Sequence, residues 1–211
     1  MIAQIEPSDL INNPNIRVED LCGDARELAE PLVKKAKKLS LSKFGKWTVL
    51  LIGDPGCGKS ALAEIAANTI AEHRENILSY SGINVDVDLV RQWQRDFRIG
   101  SLYSGWRVLV IEEIDTVPAR AQDLMLDVID KLPECVAIIG TSNNHTENFS
   151  DRFQTRFTPL EVKSLTSEEI HEFAMRHWPR LDPSEVRKIA EGCNGNMRAA
   201  LHDLQSLCDG F

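Results

Sequence analysis

Apolar residues along this chain follow two rhythms. Nearly unbroken apolar runs at 47–52, 107–111 and 136–140 are rich in Val, Ile and Leu. Runs of that length predict strands buried on both faces. Weaker runs at 77–81 and 158–162 predict a second and a last strand. Between them the spacing turns helical, at 24–40 with a break or kink at Pro31, from Ala61 onward, at 86–98 opened by Asp86 or Asp88, and at 121–131. Strands alternating with helices predict an α/β fold with a parallel sheet flanked by helices. From Ser164 the strand signal stops. Helix starts follow at Thr166, in a capping-box-like Thr-Ser-Glu-Glu, at Pro183 and at Asn196, the last running to about residue 207. The expected organisation is an α/β domain over 1–162 and a small all-helical subdomain over 163–211. Residues 1–15 read as loosely structured, with a turn at 12–15. Lys34, Lys35, Lys37 and Lys38 read as a solvated face.

The first strong strand runs into Gly53-Asp54-Pro55-Gly56-Cys57-Gly58-Lys59-Ser60, followed by a helix beginning around Ala61. Strand, glycine-rich turn and helix is the context that makes this string a phosphate-binding loop. Glycines allow successive backbone N–H groups to point into one concavity, and the helix N-terminus adds partial positive charge. Lys59 would reach the β- and γ-phosphates of ATP, and the Ser60 hydroxyl would ligate Mg²⁺. The fold class expected is therefore a P-loop nucleoside triphosphatase, a central parallel sheet flanked by helices and followed by a small all-helical lid subdomain.

Composition narrows this only a little. A chain of 211 residues with 43% hydrophobic and 27% charged residues can bury a real core. The net charge of −8 argues against whole-protein attraction to nucleic acid, so DNA contact would need a local patch or several subunits. Five dispersed cysteines form no C-x-x-C pair and support neither a disulfide framework nor a zinc site. They are expected to be reduced and mostly buried. No apolar run approaches a membrane span and no basic-then-apolar leader is seen, which predicts a cytoplasmic protein, nuclear in a eukaryote.

A second acidic motif, Glu112-Glu113-Ile114-Asp115, ends the 107–111 strand. Ligands of open α/β sheets bind at that end of the strands. Phosphoryl transfer needs one carboxylate near Mg²⁺ and one to orient or deprotonate water. Taken in order, the phosphate loop, the strand with Glu-Glu-Ile-Asp, Gly140-Thr141-Ser142-Asn143, Arg156-Phe157 and Gly195-Asn196-Met197-Arg198 resemble the AAA+ ATPase superfamily. Within it the chain looks most like the clamp-loader group, such as replication factor C small subunits, from roughly residue 17 to 209. The resemblance implies roles. Glu112 stands where the family usually has an Mg²⁺-associated Asp, a departure one methylene longer. Glu113 matches the water-activating Glu and Asp115 the second acid. Asn143 fits the first sensor by the Gly-Thr-Ser-Asn pattern, whereas Asn144 fits when counted back from the later arginine. Arg156 matches the arginine that reaches a neighbouring subunit's nucleotide, with Arg152 close enough to share or take that role. Arg198 matches the second sensor in the lid.

The client is less specified. Arg91, Arg95 and Arg98 fall at i, i+4 and i+7, one helical face. The family's helix at this place tracks a DNA backbone, which implies neighbouring AAA+ subunits, DNA, and a sliding clamp or helicase as partners. Tyr80-Ser81-Gly82 matches the aromatic pore loop of protein unfoldases poorly. The chain stops after the lid helix, without the C-terminal collar the resemblance implies. That fits a fragment or a compact, viral-type system. The expected function is a DNA-replication ATPase. The alternatives are a protein-remodelling or signalling AAA+ module, or a monomeric nucleotide binder without motor function.

Overall fold

The computed structural model describes residues 6–11, 13, 15–99, 105–143 and 149–210. Its strands are β1 (Lys46–Ile52), β2 (Ile77–Ser81), β3 (Arg107–Glu112), β4 (Val136–Ser142) and β5 (Thr158–Glu161). They form one sheet in the order β2-β3-β4-β1-β5, with every pairing parallel. Alternate residues of β1, β3 and β4 feed two separate cores, which is why these runs carry no polar alternation. Trp47, Val49 and Leu51 of β1 join α1 (Gly23–Ser40) and α2 (Lys59–Ile70) on one face. Leu50 and Ile52 join α3 (Val87–Ile99), α4 (Ala119–Asp130) and the one-turn α5 (Asp151–Gln154) on the other.

Local chemistry accounts for the helix boundaries. Asp86 caps α3 by accepting from Leu89 N at 2.8 Å. Arg107 closes its far end, donating to Asp96 O at 2.7 Å and Phe97 O at 2.9 Å. Helix α1 runs through Pro31 as one element. Its buried stripe is mostly alanine (Ala25, Ala29 and Ala36, with Leu32), small enough to seat α1 against α2. Leu28, Val33 and Leu39 are only partly buried.

Beyond β5 the described chain is helical: α6 (Ser167–His177), α7 (Pro183–Gly192) and α8 (Met197–Asp209). Thr166 and Glu169 form the expected capping box, with Glu169 N donating to Thr166 Oγ1 at 3.2 Å and Thr166 N donating to Glu169 Oε2 at 2.8 Å. Asp182 caps α7 and Asn196 caps α8. These helices build their own core around Phe173, Trp178, Val186 and Leu204.

The N-terminus departs from expectation. Pro7–Leu10 is a 3₁₀ turn rather than loose chain, and Leu10 is buried among Phe173, Leu201 and Leu204. Ser8 N also donates to Gln205 Oε1 at 3.0 Å. The reason is burial: Leu10 finds buried apolar partners 160 or more residues away. Of the expected turn at 12–15, positions 12 and 14 lie outside the described residues. The cysteines are free, two buried, two half-buried and Cys208 exposed. No helix among the described residues is long and apolar enough to cross a membrane.

Candidate nucleotide site

β1 and β4 end level, with Ile52 opposite Ser142. The chain leaves β1 through Gly53, whose N–H donates to Ser142 O at 3.2 Å. Gly58, at φ +102°, then turns the backbone into α2, a conformation an L side chain resists. This places Lys59 and Ser60 at the helix N-terminus, at the carboxyl ends of the strands. Lys59 is buried, at 6% exposure. Its Nζ donates to Gly53 O at 2.9 Å and Asp54 O at 2.7 Å, and lies 3.8 Å from Cys57 Sγ. Burial pulls its pKa below the usual lysine value, opposed by Cys57, Asp54 and Asp115. The Cys57 thiol is pushed up by burial, opposed by Lys59. It is therefore a buried neutral thiol rather than a reactive one.

From β3 comes the acidic end. Ser60 Oγ donates to Glu112 Oε2 at 3.2 Å, so residues on two different elements meet here. Glu113 adopts φ 50°, ψ 48°, a left-handed conformation uncommon for glutamate. Its N–H donates to the hydroxyl of Thr141 at 3.1 Å, and Thr116 Oγ1 donates to its carbonyl at 2.7 Å. The side chain is exposed.

The start of α8 and the segment before α6 pack against this loop. Met197 N, the first residue of α8, donates to Gly56 O at 3.1 Å. A Cβ on Gly56, at φ +78°, would lie 1.9 Å from Asn196 Oδ1. Ser164 Oγ donates to Asp54 Oδ2, a second tie between the loop and the helical region. A cleft of about 410 Å³ opens between these parts. Pro55 to Ala61, Glu112, Glu113, Asn143 and Arg198 all line it. Gly53 and Asp54 form the loop's entry and bond Lys59 from behind.

The structure thus brings the sequence-predicted residues of one chain to a single place, with three groups standing elsewhere. Arg156 does not line the cleft. It forms a two-pronged ion pair with Asp130, Nε to Oδ1 at 3.0 Å and Nη2 to Oδ2 at 3.1 Å. Arg156 hydrogen bonding holds the Asp130 carboxyl below its usual range. Arg152 is exposed on α5. Arg91 and Arg95 are exposed on α3, opposite the buried Val90, Trp93 and Phe97, and Arg91 pairs with Asp88 at 3.3 Å. Asn144 lies outside the described residues, as does the side chain of Arg98. Two contributors escape sequence reasoning. Thr141 carried a signal, since it precedes Ser142-Asn143, but its bond to Glu113 is a tertiary contact. Leu10, Ile11 and Ile16 line the cleft from the N-terminal segment, and only their apolar character hinted at it.

The family model for the "ATPase family associated with various cellular activities (AAA)" matches residues 49–164, more than half of the chain. The chain belongs to the AAA ATPase family. Among curated relatives, the replication factor C large subunit of Pyrobaculum arsenaticum is 28% identical over 204 residues, covering 90% of this chain and 46% of that protein. The replication-associated recombination protein A of Bacillus subtilis is 23% identical over 205 residues, covering 90% and 45%. The AAA chain thus spans less than half the length of these relatives. Among solved structures, RuvB of Thermotoga maritima (a P216G mutant) superposes with a TM-score of 0.71 at 21% identity, covering 91% of this chain and 64% of that one. It shows the same fold.

Proposed function

We infer that this chain is a Mg²⁺-dependent ATPase module that acts in DNA replication or DNA metabolism, as a clamp-loader-like or helicase-loader-like subunit. One observation carries the ATPase reading: Ser60 and Glu112, from α2 and β3, stand 3.2 Å apart in the cleft that also holds Lys59, Glu113 and Arg198. Phosphates fit the loop, because its N–H groups, the α2 N-terminus and Lys59 all favour anions. Lys59 now satisfies two loop carbonyls, and a phosphate would exchange those bonds for charge-assisted ones. The apolar N-terminal residues Ile16 and Leu21 offer a surface for a flat base. A hydroxyl beside a carboxylate is a hard-oxygen donor pair that fits magnesium, so Ser60 and Glu112 would hold that ion. When bound, it supplies neutralisation of phosphate charge. Glu113 takes the proton of the attacking water, whose oxygen bonds the γ-phosphorus as ADP leaves. Asn143 orients that water, and Arg198 carries the nucleotide state to residues 163–211, which act as a lid over 1–162. The 3₁₀ turn at Pro7–Leu10 moves with the lid, since it is packed there.

Arg156 serves a neighbouring subunit, because it stands outside its own chain's cleft. The replication side of the reading rests on relatives named for replication and on the exposed Arg91 and Arg95 of α3, with Arg98 on the same helix. The deciding experiment measures hydrolysis with and without primed DNA, for wild type and for Arg91, Arg95 and Arg98 changed to Glu. DNA should stimulate wild type in a salt-sensitive way, and the triple variant should lose the stimulation while still binding an ATP analogue. Absence of any DNA effect would leave the protein-remodelling alternative. A Glu113→Gln variant that binds nucleotide and hydrolyses it normally would remove the catalytic assignment itself.

A further inference from the structure

We propose that Asp130 is a latch on Arg156: it stores the guanidinium on its own subunit, and docking of a second copy of this chain must displace the carboxylate before the arginine reaches that copy's phosphates. The proposal rests on the reading of Arg156 as an arginine acting in trans. Its first support is a donor count. A guanidinium has five N–H groups. Nε and Nη2 donate to the two carboxylate oxygens of Asp130 at 3.0 and 3.1 Å. Nη1 donates to Arg152 O at 3.2 Å and to Thr155 Oγ1 at 3.1 Å. The Nε–Nη2 edge of the guanidinium, which would fork onto a phosphate, is occupied by Asp130, with a single N–H left over. In this state the arginine cannot serve a neighbour.

The base of the side chain is firm, so the change is confined to the side chain. Phe149 stacks on Phe153 at a centroid distance of 5.6 Å, and Phe157 packs tilted against Phe153 at 5.2 Å. Thr48 Oγ1 donates to Arg156 O at 2.6 Å, fixing the backbone to β1. Releasing the latch also strands no charge. Asp130 remains within electrostatic reach of Arg152 and Lys131 after Arg156 leaves. The exchange replaces one anion by another, carboxylate by phosphate, both of which suit the guanidinium fork. Partial exposure keeps the stored pair weak enough to break.

The test is specific ATPase rate against protein concentration, with ATP-analogue affinity and melting temperature as companions. In Asp130→Asn the half-maximal concentration should fall about threefold, the scale of one exposed ion pair. Affinity for the analogue should not change, because the cleft lies elsewhere. Asp130→Glu, which can still pair, should follow wild type. Asp127→Asn removes an acid on the same helix that binds Lys131 and Gln94 rather than Arg156, and should leave the curve in place. In an Arg156→Ala background, Asp130→Asn should have no effect. Asp130→Ser, also unable to form the fork, serves if the amide proves unstable. Four results overturn the latch: no shift in Asp130→Asn, a shift to higher concentration, an equal shift in Asp127→Asn, or a shift that persists without Arg156. A different result overturns the underlying reading instead: Arg156→Ala with the wild-type dependence on concentration, or a wild-type rate that does not vary with concentration.

Discussion

Thr141→Val asks whether the backbone of Glu113 must be pinned for hydrolysis. The substitution keeps shape and removes one hydroxyl, at a position only 3% exposed. That hydroxyl accepts from Glu113 N at 3.1 Å. Glu113 sits at φ 50°, where a non-glycine residue carries strain of about 1–3 kcal/mol. The bond helps offset that strain. Without it an N–H loses its partner beside a new methyl group, at a cost of about 1–2 kcal/mol. For a chain of this size that lowers the melting temperature by about 4 °C. The larger effect falls on rate. A relaxed backbone moves the carboxylate by on the order of 1 Å, and a displacement of that size costs about 10²-fold in a positioned reaction. ATP-analogue affinity should hold, since the loop, Lys59 and Ser60 are untouched. Thermal melts, analogue titration and single-turnover hydrolysis separate the three quantities. Thr141→Ser, which keeps the acceptor, should recover most of the rate. A Val variant that melts early but hydrolyses at the wild-type rate would refute the idea that this backbone geometry matters to catalysis.

The α8 cap and the pH response offer two more checks. Asn196→Ala removes the α8 cap, whose Oδ1 accepts from Ala199 N at 3.2 Å, and should cost about 1 kcal/mol of stability in a thermal or urea melt. Asn196→Ser should restore it, and an Ala variant as stable as wild type would show the cap to be idle. His177 has its pKa lowered below 6.5, chiefly by burial and then by Arg176 and Arg26, against an opposing pull from Asp20. The unfolded chain therefore binds its proton first, so stability should fall as pH drops below about 6.5 toward the folded pKa, by at most about 1.4 kcal/mol per pH unit. His177→Gln should flatten the stability curve in that window, while losses below the usual range of Asp182, depressed by Ser184, should remain. An unchanged slope would assign the acid sensitivity elsewhere.

Much of this molecule is legible in local patterns. The phosphate loop is written in eight consecutive residues, because the glycine conformations, the helix start and the lysine are all near-neighbour requirements. The buried strands announce themselves, because a strand covered on both faces has no use for polar alternation. The α6, α7 and α8 starts could be read from Thr166, Pro183 and Asn196, because helix starts are settled within three residues. Even the meeting of loop and acidic strand was implied, since ordered motifs on a parallel sheet have one common end. What the chain alone left open are contacts between distant residues. Nothing near Leu10 says that it belongs beside Phe173 and Leu204, for an apolar residue in a polar segment names no partner. Nothing near Glu113 says that Thr141 holds its backbone. Asp130 and Arg156 are 26 residues apart on separate elements. Only packing α4 against the α5 turn sets their carboxylate and guanidinium face to face. Local structure follows from short-range sterics and hydrogen bonding, which the sequence states directly. Pairings across the fold follow from how the layers stack, and that is decided only when the whole chain has buried its cores.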